Sequence, residues 1–211
     1  MIMILEQEIK LQVLAESKLD LRSLTWLCSL AEGDIESQRL ISTYYDTPEQ
    51  SLMTQGLGLR LRNKAGQWLQ TVKTSGNAEK GLHQRQEWEH ELDNAQFDIE
   101  KLKQTPLKTI IENQSLWISI EPLFTTDFLR ESIQIALENN TEIEFAYDYG
   151  RVTAKQRSVP IHEIEMELKS GSIEQLIQFS NSVARRLELK PSNTNKAQLG
   201  YQLIKQALAS R

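Results

Sequence analysis

The sequence predicts an α+β fold in which a closed eight-stranded antiparallel β-barrel forms a tunnel with a polar interior, and amphipathic helices cover the outside. Three observations lead to this fold class. At least five extended segments alternate charged with apolar side chains, and some of their charged faces carry a single sign of charge. Two segments near the end of the chain, 172–189 and 195–209, show apolar positions at helical spacing.

The first extended segment, 3–13, shows the alternation clearly. Glu6, Glu8 and Lys10 share one face of an extended chain, whereas apolar residues share the other. Taken alone, this pattern also fits a strand with one face in water, because antiparallel sheets commonly leave one face solvated. The meaning of the charged face therefore depends on the other strands.

Later segments repeat the alternation with faces of a single charge sign. One strand carries Arg60 and Arg62 on one face, and another carries Glu163, Glu165 and Glu167. A solvated face usually mixes the two signs, whereas a block of one sign repels itself unless an opposite charge lies nearby. A closed barrel turns every charged face inward and leaves no unpaired strand edge. These faces therefore predict a charged tunnel.

The remaining elements are bounded by turn and cap signals. Helices are predicted at 17–33, with Ser17 as the N-cap, and at 98–111, with an interruption at Pro106. Gly150 is expected to end a strand. After the first segment, strands are predicted, from β-branched and aromatic content and from alternation, at 39–46, 57–64, 68–73, 81–92, 116–120, 124–137, 142–148 and 162–168.

The composition limits the class of protein. A chain of 211 residues can bury a core, and we expect a single domain at 1–211. The net charge of −5 argues against a nucleic-acid binder that neutralises phosphates over a broad surface. Cys28 is the only cysteine, which excludes an intramolecular disulfide. The chain has no signal-peptide pattern and no apolar run of membrane-spanning length, so we expect a cytoplasmic protein without membrane contact. The sequence does not indicate an oligomeric state.

The charged faces indicate the ligand. Glutamates two residues apart on two strands supply hard oxygen ligands for Mg²⁺ or Mn²⁺, which tend to keep a bound phosphate in their coordination shell. Basic residues on the other strands would bind the remaining phosphate oxygens, the arginines through bidentate contacts. These bases are Arg60, Arg62, Lys73, Arg85 and Arg130. Together they describe a site for a chain of phosphates with a metal.

At these residues the chain resembles the CYTH domain family, also called the triphosphate tunnel metalloenzymes. Glu6-x-Glu8-x-Lys10 is similar to the signature near the N-terminus of the family. An ordered set of further matches spans nearly the whole chain: Tyr44-Tyr45-Asp46-Thr47, Leu59-Arg60-Leu61-Arg62, Lys73, the segment from Gly81 to Glu89, Arg130, Asp148-Tyr149-Gly150, Glu163-Ile164-Glu165-Met166-Glu167-Leu168 and the segment from Ser192 to Lys196.

The resemblance implies an eight-stranded tunnel that binds a linear triphosphate and a divalent metal. It also implies roles for particular residues, carried over position by position. The catalytic set is Glu6, Glu8, Lys10 and Asp148. The substrate-binding set is Lys10, Arg60, Arg62, Lys73, Arg85, Glu87, Arg130 and Lys196. The metal-binding set, for Mg²⁺ or Mn²⁺, is Glu6, Glu8, Asp148, Glu163, Glu165 and Glu167.

Within the family, the segment 81–89 resembles bacterial inorganic triphosphatases, which cleave tripolyphosphate to diphosphate and phosphate. Those proteins often carry an additional C-terminal helical domain, which we do not expect in these 211 residues. A class IV adenylate cyclase and a thiamine or nucleoside triphosphatase are alternative activities on the same fold. A non-catalytic polyphosphate-binding module is the alternative of another class, and the intact acidic pairs argue against it.

Several residues also fit roles outside the tunnel. Glu89 fits a solvated strand end equally well, and Asp46 fits a cap at the end of a strand. His162 lies on the apolar face of its strand, where a structural role is favoured over metal binding. The sequence has no P-loop motif and no convincing Cys-His pair, so the mechanism is expected to use no covalent nucleophile.

Overall fold

The computed structural model describes residues 3–14 and 17–209 of the chain. Its strands are β1 (Ile4–Gln12), β2 (Glu36–Asp46), β3 (Leu57–Lys64), β4 (Gln67–Thr74), β5 (Asn77–Glu79), β6 (Leu82–Leu92), β7 (Glu121–Leu137), β8 (Thr141–Ala154), β9 (Arg157–Ser170) and β10 (Lys190–Pro191). Its α-helices are α1 (Thr25–Cys28), α2 (Ser51–Thr54), α3 (Ile99–Leu102), α4 (Lys108–Glu112), α5 (Gln114–Ile118), α6 (Ile173–Arg186) and α7 (Lys196–Ala209), and a 3₁₀ turn precedes α1 at Leu21–Ser23.

The barrel closes because β1 pairs with a neighbour at each of its edges. Around the barrel the strands follow the order β1-β9-β8-β7-β2-β3-β4-β6, and β6 pairs again with β1. Every one of these pairings is antiparallel. In the closing pair, Glu6 lies opposite Arg85. The predicted closed eight-stranded antiparallel barrel is therefore confirmed.

The alternation along each strand decides which side chains enter the barrel. On β1, Glu6, Glu8 and Lys10 point to the interior, and their side chains contribute to the wall of a central cavity. Ile9 and Leu11, on the other face, are buried in an outer apolar cluster. The period of two that predicts the strand thus also separates the charged interior from the apolar exterior.

Helices cover the apolar outer faces of the barrel in two places. α6 begins after Ser172, whose hydroxyl accepts a hydrogen bond from the backbone N–H of Gln175, and it buries Leu176 and Val183 against the outer faces of β1, β8 and β9. Residues of α2 to α5 pack with Leu59 of β3 in a separate outer cluster. Each such buried side chain stabilises the fold by roughly 1.5–3 kcal/mol relative to exposure.

The last helix, α7, packs against the inner face of the barrel wall. Tyr201 and Ile204 lie in a cluster with Phe124 and Phe128, which share the inward-facing positions of β7 with Arg130. The helix approaches closely because Gly200 has no side chain, since a Cβ atom there would lie 2.2 Å from the Phe124 ring. The apolar periodicity of 195–209 predicts this helix, but its expected position on the outside of the barrel is wrong, because the apolar surface that it covers is supplied by inward-facing residues such as Phe124 and Phe128.

Three local predictions are wrong. The expected helix at 17–33 is two separate short turns, because Asp20 caps the first and Leu24 leaves helical geometry before the second. The segment 116–120 is not a strand: its first three residues belong to α5, which Asn113 caps. Gly150 continues β8 instead of ending it, and a Cβ there would lie 2.2 Å from the carbonyl oxygen of Asp127 on the neighbouring strand.

Asp46 caps α2 from the end of β2 and does not line the cavity. Its carboxylate is fully buried and accepts hydrogen bonds from the backbone N–H groups of Thr47, Leu52 and Met53. It also accepts one from the Tyr201 hydroxyl, at 2.9 Å. A single carboxylate therefore connects β2, α2 and α7.

Within the described ranges, no helix is long and apolar enough to cross a membrane.

Removing the hydroxyl that connects α7 to Asp46 is expected to destabilise the protein. A hydrogen bond to a charged group contributes about 1.5–3 kcal/mol, so Tyr201→Phe should lower the free energy of unfolding by that order in urea denaturation. Tyr149→Phe is the matched control, because Tyr149 is exposed on the outside of β8 and should change stability by less than about 0.5 kcal/mol. Equal stability of the two variants would contradict the connection.

Candidate active site

A cavity of about 850 Å³ occupies the interior of the barrel. Ten lysines and arginines line it against seven glutamates, although the whole chain carries a net charge of −5. The excess of positive charge is therefore local to the interior, where it favours an anionic ligand. Twelve of the residues predicted for the site lie on the cavity wall, namely Glu6, Glu8, Lys10, Arg60, Arg62, Lys73, Arg85, Glu87, Arg130, Glu165, Glu167 and Lys196.

On the wall formed by β1, β4 and β6, acids and bases pair directly. The Glu6 carboxylate contacts the Lys73 ammonium at 2.7 Å and accepts a hydrogen bond from Arg85. Arg85 also contacts Glu8 at 3.1 Å. Burial by itself would raise the pKa of the Glu6 carboxyl, but Lys73 and Arg85 outweigh burial and hold that pKa well below its usual range. Glu6 is therefore ionised and available as an oxygen ligand.

On the same wall, Lys73 also contacts Glu87, at 2.8 Å. Glu87 lies 3.5 Å from Arg60 and so connects this wall to β3. Arg60 reaches Glu89 as well, at 3.4 Å, and Glu89 accepts a hydrogen bond from the Thr71 hydroxyl at 2.9 Å. Thr71 was not predicted for the site, and Glu89 lines the cavity although its side chain is 38% exposed. Thr71 lies two positions from Lys73, and Glu89 lies two positions from Glu87, so each shares the inward face of its strand with a predicted site residue. This spacing is the signal that could have identified them.

Arg62 differs from the other predicted cations of the cavity. Its Nε donates a hydrogen bond to the Ser42 hydroxyl at 2.9 Å, and its guanidinium lies 5.9 Å from the centre of the Phe128 ring. Within residues 3–14 and 17–209, no carboxylate lies within 4 Å of it. Burial and the neighbouring charge of Arg60 lower the pKa of Arg62 to about 10. Arg62 is thus a partly buried cation that has no anionic partner in the described part of the chain.

On the opposite wall, three carboxylates gather on β8 and β9. Oxygen atoms of Asp148, Glu163 and Glu165 all lie within 4.8 Å of one another. The Lys196 ammonium lies among them, 2.6 Å from Asp148 and 2.8 Å from Glu165, and it also contacts Glu163. Glu165 and Lys196 line the cavity, whereas Asp148 and Glu163 do not. Lys196 therefore separates two of the predicted metal ligands from the cavity.

Two further cations hold the same cluster. Arg130 makes a bidentate contact with Asp148, at 2.8 and 2.7 Å, and also contacts Glu165. Lys10 contacts Glu165 and lies 3.0 Å from Glu8, so it connects the two acidic walls. Burial tends to raise the pKa of Glu165, but Lys10, Lys196 and Arg130 outweigh it and keep that pKa well below its usual range.

Glu167 occupies a more open position on β9. It lies opposite Glu8 in the strand pairing and lines the cavity, but its carboxylate pairs with Lys169 at 2.8 Å. Burial raises the pKa of its carboxyl. Glu167 is therefore brought to the cavity wall next to the predicted ligands of β1, with a competing ammonium partner.

One buried residue on the wall, His83, was absent from the predicted site. Its Nε2 lies 2.9 Å from the carbonyl oxygen of Ser192, which accepts a hydrogen bond and so assigns the proton to Nε2. Burial lowers the pKa of this imidazole. The contact fixes the segment that leads into α7. His162, by contrast, contacts the Tyr147 hydroxyl at 2.9 Å on the outer side of the sheet, consistent with the expected structural role.

The chain is similar in sequence and in fold to known proteins. The family model for the CYTH domain matches residues 5–201. An inorganic triphosphatase from Haemophilus influenzae is 31% identical over 201 residues, which are 95% of this chain and 56% of that protein. This chain thus spans little more than half the length of that relative.

Two solved structures show a similar fold. A protein from Hippeastrum, described as an adenylyl cyclase with a dominant triphosphatase activity, is 15% identical with a TM-score of 0.63 and covers 93% of this chain and 95% of its own. A protein from Bacillus halodurans described as an adenylate cyclase is 20% identical with a TM-score of 0.54, covering 92% and 95%. Because these identities are low, they show the fold alone. The family match over nearly the whole chain carries the assignment, and the chain belongs to the CYTH domain family.

Proposed function

We propose that this chain hydrolyses a linear triphosphate inside the barrel, and that the substrate is inorganic tripolyphosphate, cleaved to diphosphate and phosphate. The observation that carries the proposal is the cavity wall, where ten bases face seven glutamates in a closed barrel. A polyanion with a bound metal offers these groups charges of both signs. The similarity to the Haemophilus influenzae inorganic triphosphatase supports the choice of substrate.

The bases of the wall bind and orient the phosphates in this proposal. Arg62 has no carboxylate partner among the described residues, so its guanidinium can donate hydrogen bonds to a phosphate oxygen without breaking an ion pair. Six other bases of the wall, those predicted for the site, exchange a carboxylate for a phosphate oxygen when the substrate enters. They are Lys10, Arg60, Lys73, Arg85, Arg130 and Lys196. Such fixed charges stabilise the charge that develops during phosphoryl transfer.

The carboxylates suit a divalent metal by their donor chemistry. Hard oxygen donors are the ligands that Mg²⁺ and Mn²⁺ prefer, and Glu6, Glu8, Glu165 and Glu167 lie on neighbouring strands at the cavity wall. These four residues would hold the metal first, and Asp148 and Glu163 could join only if Lys196 moved. When bound, such an ion offsets negative charge on phosphate oxygens and lowers the pKa of a bound water.

The contacts of Asp148 favour a positioning role. The resemblance associates Asp148 with a second metal or with the attacking water, but its carboxylate is fully buried behind Lys196 and binds Arg130 through both oxygens. We therefore propose that Asp148 orients the Arg130 guanidinium toward the substrate. Glu87 acts similarly, because it contacts both Lys73 and Arg60.

A second candidate substrate class is a thiamine or nucleoside triphosphate. Ile4, Met53 and Leu57 place apolar surface on the cavity wall, and Ile4 and Met53 are partly exposed. This surface could contact an organic group attached to the triphosphate. The same apolar surface could contact the nucleoside of ATP in a class IV adenylate cyclase. A polyphosphate-binding module without activity would need only the charged residues of the cavity wall. We propose further that residues 1–211 form one cytoplasmic domain that acts on a small molecule, without binding nucleic acid or membranes.

The proposed function is tested by phosphate release from tripolyphosphate, ATP and thiamine triphosphate, each with Mg²⁺, Mn²⁺ or Ca²⁺. We expect tripolyphosphate to be cleaved fastest, and Glu8→Gln to reduce turnover roughly 100-fold because it removes a charged oxygen ligand. Glu138→Gln, at an exposed turn, is the matched control and should keep full activity. Formation of cyclic AMP from ATP without tripolyphosphate cleavage would refute the substrate, and full activity of Glu8→Gln would refute the metal assignment.

Arg62→Gln should weaken substrate binding without destabilising the empty protein. Loss of one charge-assisted contact of about 1.5–3 kcal/mol predicts roughly 10- to 100-fold weaker binding of tripolyphosphate in calorimetry. The lowered pKa of Arg62 means that its charge is disfavoured in the folded state at every pH below about 10, so the variant should be at least as stable as wild type.

Arg151→Gln, on an exposed and outward-facing position of β8, controls for the loss of one positive charge. It should leave both binding and stability unchanged. Wild-type affinity in Arg62→Gln would exclude Arg62 from the site, and a marked loss of stability would show that its charge has a structural partner.

A further inference from the structure

Lys196 lies where a bound cation would neutralise the three carboxylates of Asp148, Glu163 and Glu165. Its ammonium is 2.6 Å from Asp148 and 2.8 Å from Glu165 and contacts Glu163. All four residues are buried, each less than 10% exposed. The three carboxylates therefore already form a complete binding site for an ammonium group, because Lys196 contacts each of them.

The charges of this cluster balance only when Lys196 is present. Three cations contact the three carboxylates, namely Lys196, Lys10 and Arg130. Lys10 is shared with Glu8, so its charge is not fully available to the cluster. Without Lys196, one buried carboxylate would lack a counter-charge, which is costly in a buried site. Another cation of suitable chemistry would then be favoured in its place.

α7 holds Lys196 in place by contacts that do not involve its ammonium. Lys196 is the first residue of the helix, and five positions later Tyr201 binds Asp46. Gly200 packs against Phe124. The helix can therefore stay in position while the flexible lysine side chain moves, and that side chain already lines the cavity.

We propose that Lys196 is an exchangeable internal counter-ion. In the empty barrel its ammonium blocks the cluster of Asp148, Glu163 and Glu165 against divalent metal. When a triphosphate enters, the ammonium moves to a phosphate oxygen and releases the carboxylates to the metal. The second step rests on the proposed function, whereas the blocking concerns the empty protein alone. Metal binding at this cluster is thereby coupled to the arrival of the substrate.

The blocking is tested by Mn²⁺ binding to the purified chain without any phosphate, measured by the electron paramagnetic resonance signal of free Mn²⁺. Lys196→Gln should bind Mn²⁺ at least 10-fold more tightly than wild type, or bind one additional ion. Lys205→Gln is the matched control, because Lys205 lies on the same helix and lines the same cavity, about 13 Å further along the helix axis. It should match wild type.

A second substitution locates the gain. Adding Glu163→Gln to Lys196→Gln should abolish the increase in Mn²⁺ affinity, since Glu163 contacts Lys196 and does not line the cavity. Wild-type affinity in Lys196→Gln would overturn the proposal. An equal gain in Lys205→Gln, or a gain that survives Glu163→Gln, would overturn it as well, because a general change in cavity charge would then explain the result.

Thermal unfolding keeps the test decisive if Lys196→Gln is unstable. Mn²⁺ should raise the Tm of this variant more than that of wild type, or restore its folded circular dichroism spectrum if it is unfolded without metal. A variant that Mn²⁺ neither stabilises nor refolds would contradict the blocking. These measurements contain no triphosphate, so they test the blocking independently of the proposed function. A wild-type protein that cleaves no substrate would refute the proposed function without affecting the result on Mn²⁺ binding.

Discussion

A carboxylate or ammonium group removed from water costs several kcal/mol unless an opposite charge and hydrogen bonds replace its hydration. The interior of this barrel satisfies that constraint by pairing acids with bases across neighbouring strands. Glu6 with Arg85, Glu165 with Lys10, and Asp148 with Arg130 are the direct examples. The pairing requires a closed barrel with a fixed register, because a shift of one residue would turn the charges outward and the apolar side chains inward.

The same constraint explains how an empty charged cavity can also be a binding site. Each ion pair in the cavity holds groups that a metal triphosphate can satisfy equally well, since phosphate oxygens replace carboxylates and the metal replaces ammonium or guanidinium groups. Arg62 is the exception, with no carboxylate within 4 Å among the described residues. The interior is therefore pre-organised for a ligand that carries charges of both signs, and Arg62 supplies a positive charge that has no carboxylate partner among the described residues.

The sequence predicts the barrel and most of the cavity wall because a strand has a period of two. Once Glu6 and Arg60 are placed inside, every second residue on their strands follows, and twelve predicted site residues do line the cavity. The same rule would have placed Thr71 and Glu89 there. The rule does not predict how far a side chain lies from the cavity, because alternation shows only which face of the strand the side chain is on. Asp148 and Glu163 point inward and are nevertheless covered by Lys196.

The prediction of helices from the sequence is limited for a different reason. An apolar stripe shows that a helix is covered on one side, but it does not identify the covering surface, and so α7 on the inner wall could not be distinguished from α6 on the outside. The short turns near Leu21 and the helix after Asn113 depend on single capping side chains, whose signal is weaker than the local apolar content.

The central claim is that the paired charges inside the barrel exchange for a triphosphate and its metal. Crystals grown with Mn²⁺ and a non-hydrolysable imido analogue of tripolyphosphate test it directly through the anomalous scattering of manganese. We expect a manganese peak inside the barrel between the carboxylates of β1 and β9, with a phosphate oxygen of the analogue against Arg62. A manganese site or an analogue bound only on the outer surface, with the interior ion pairs intact, would contradict it.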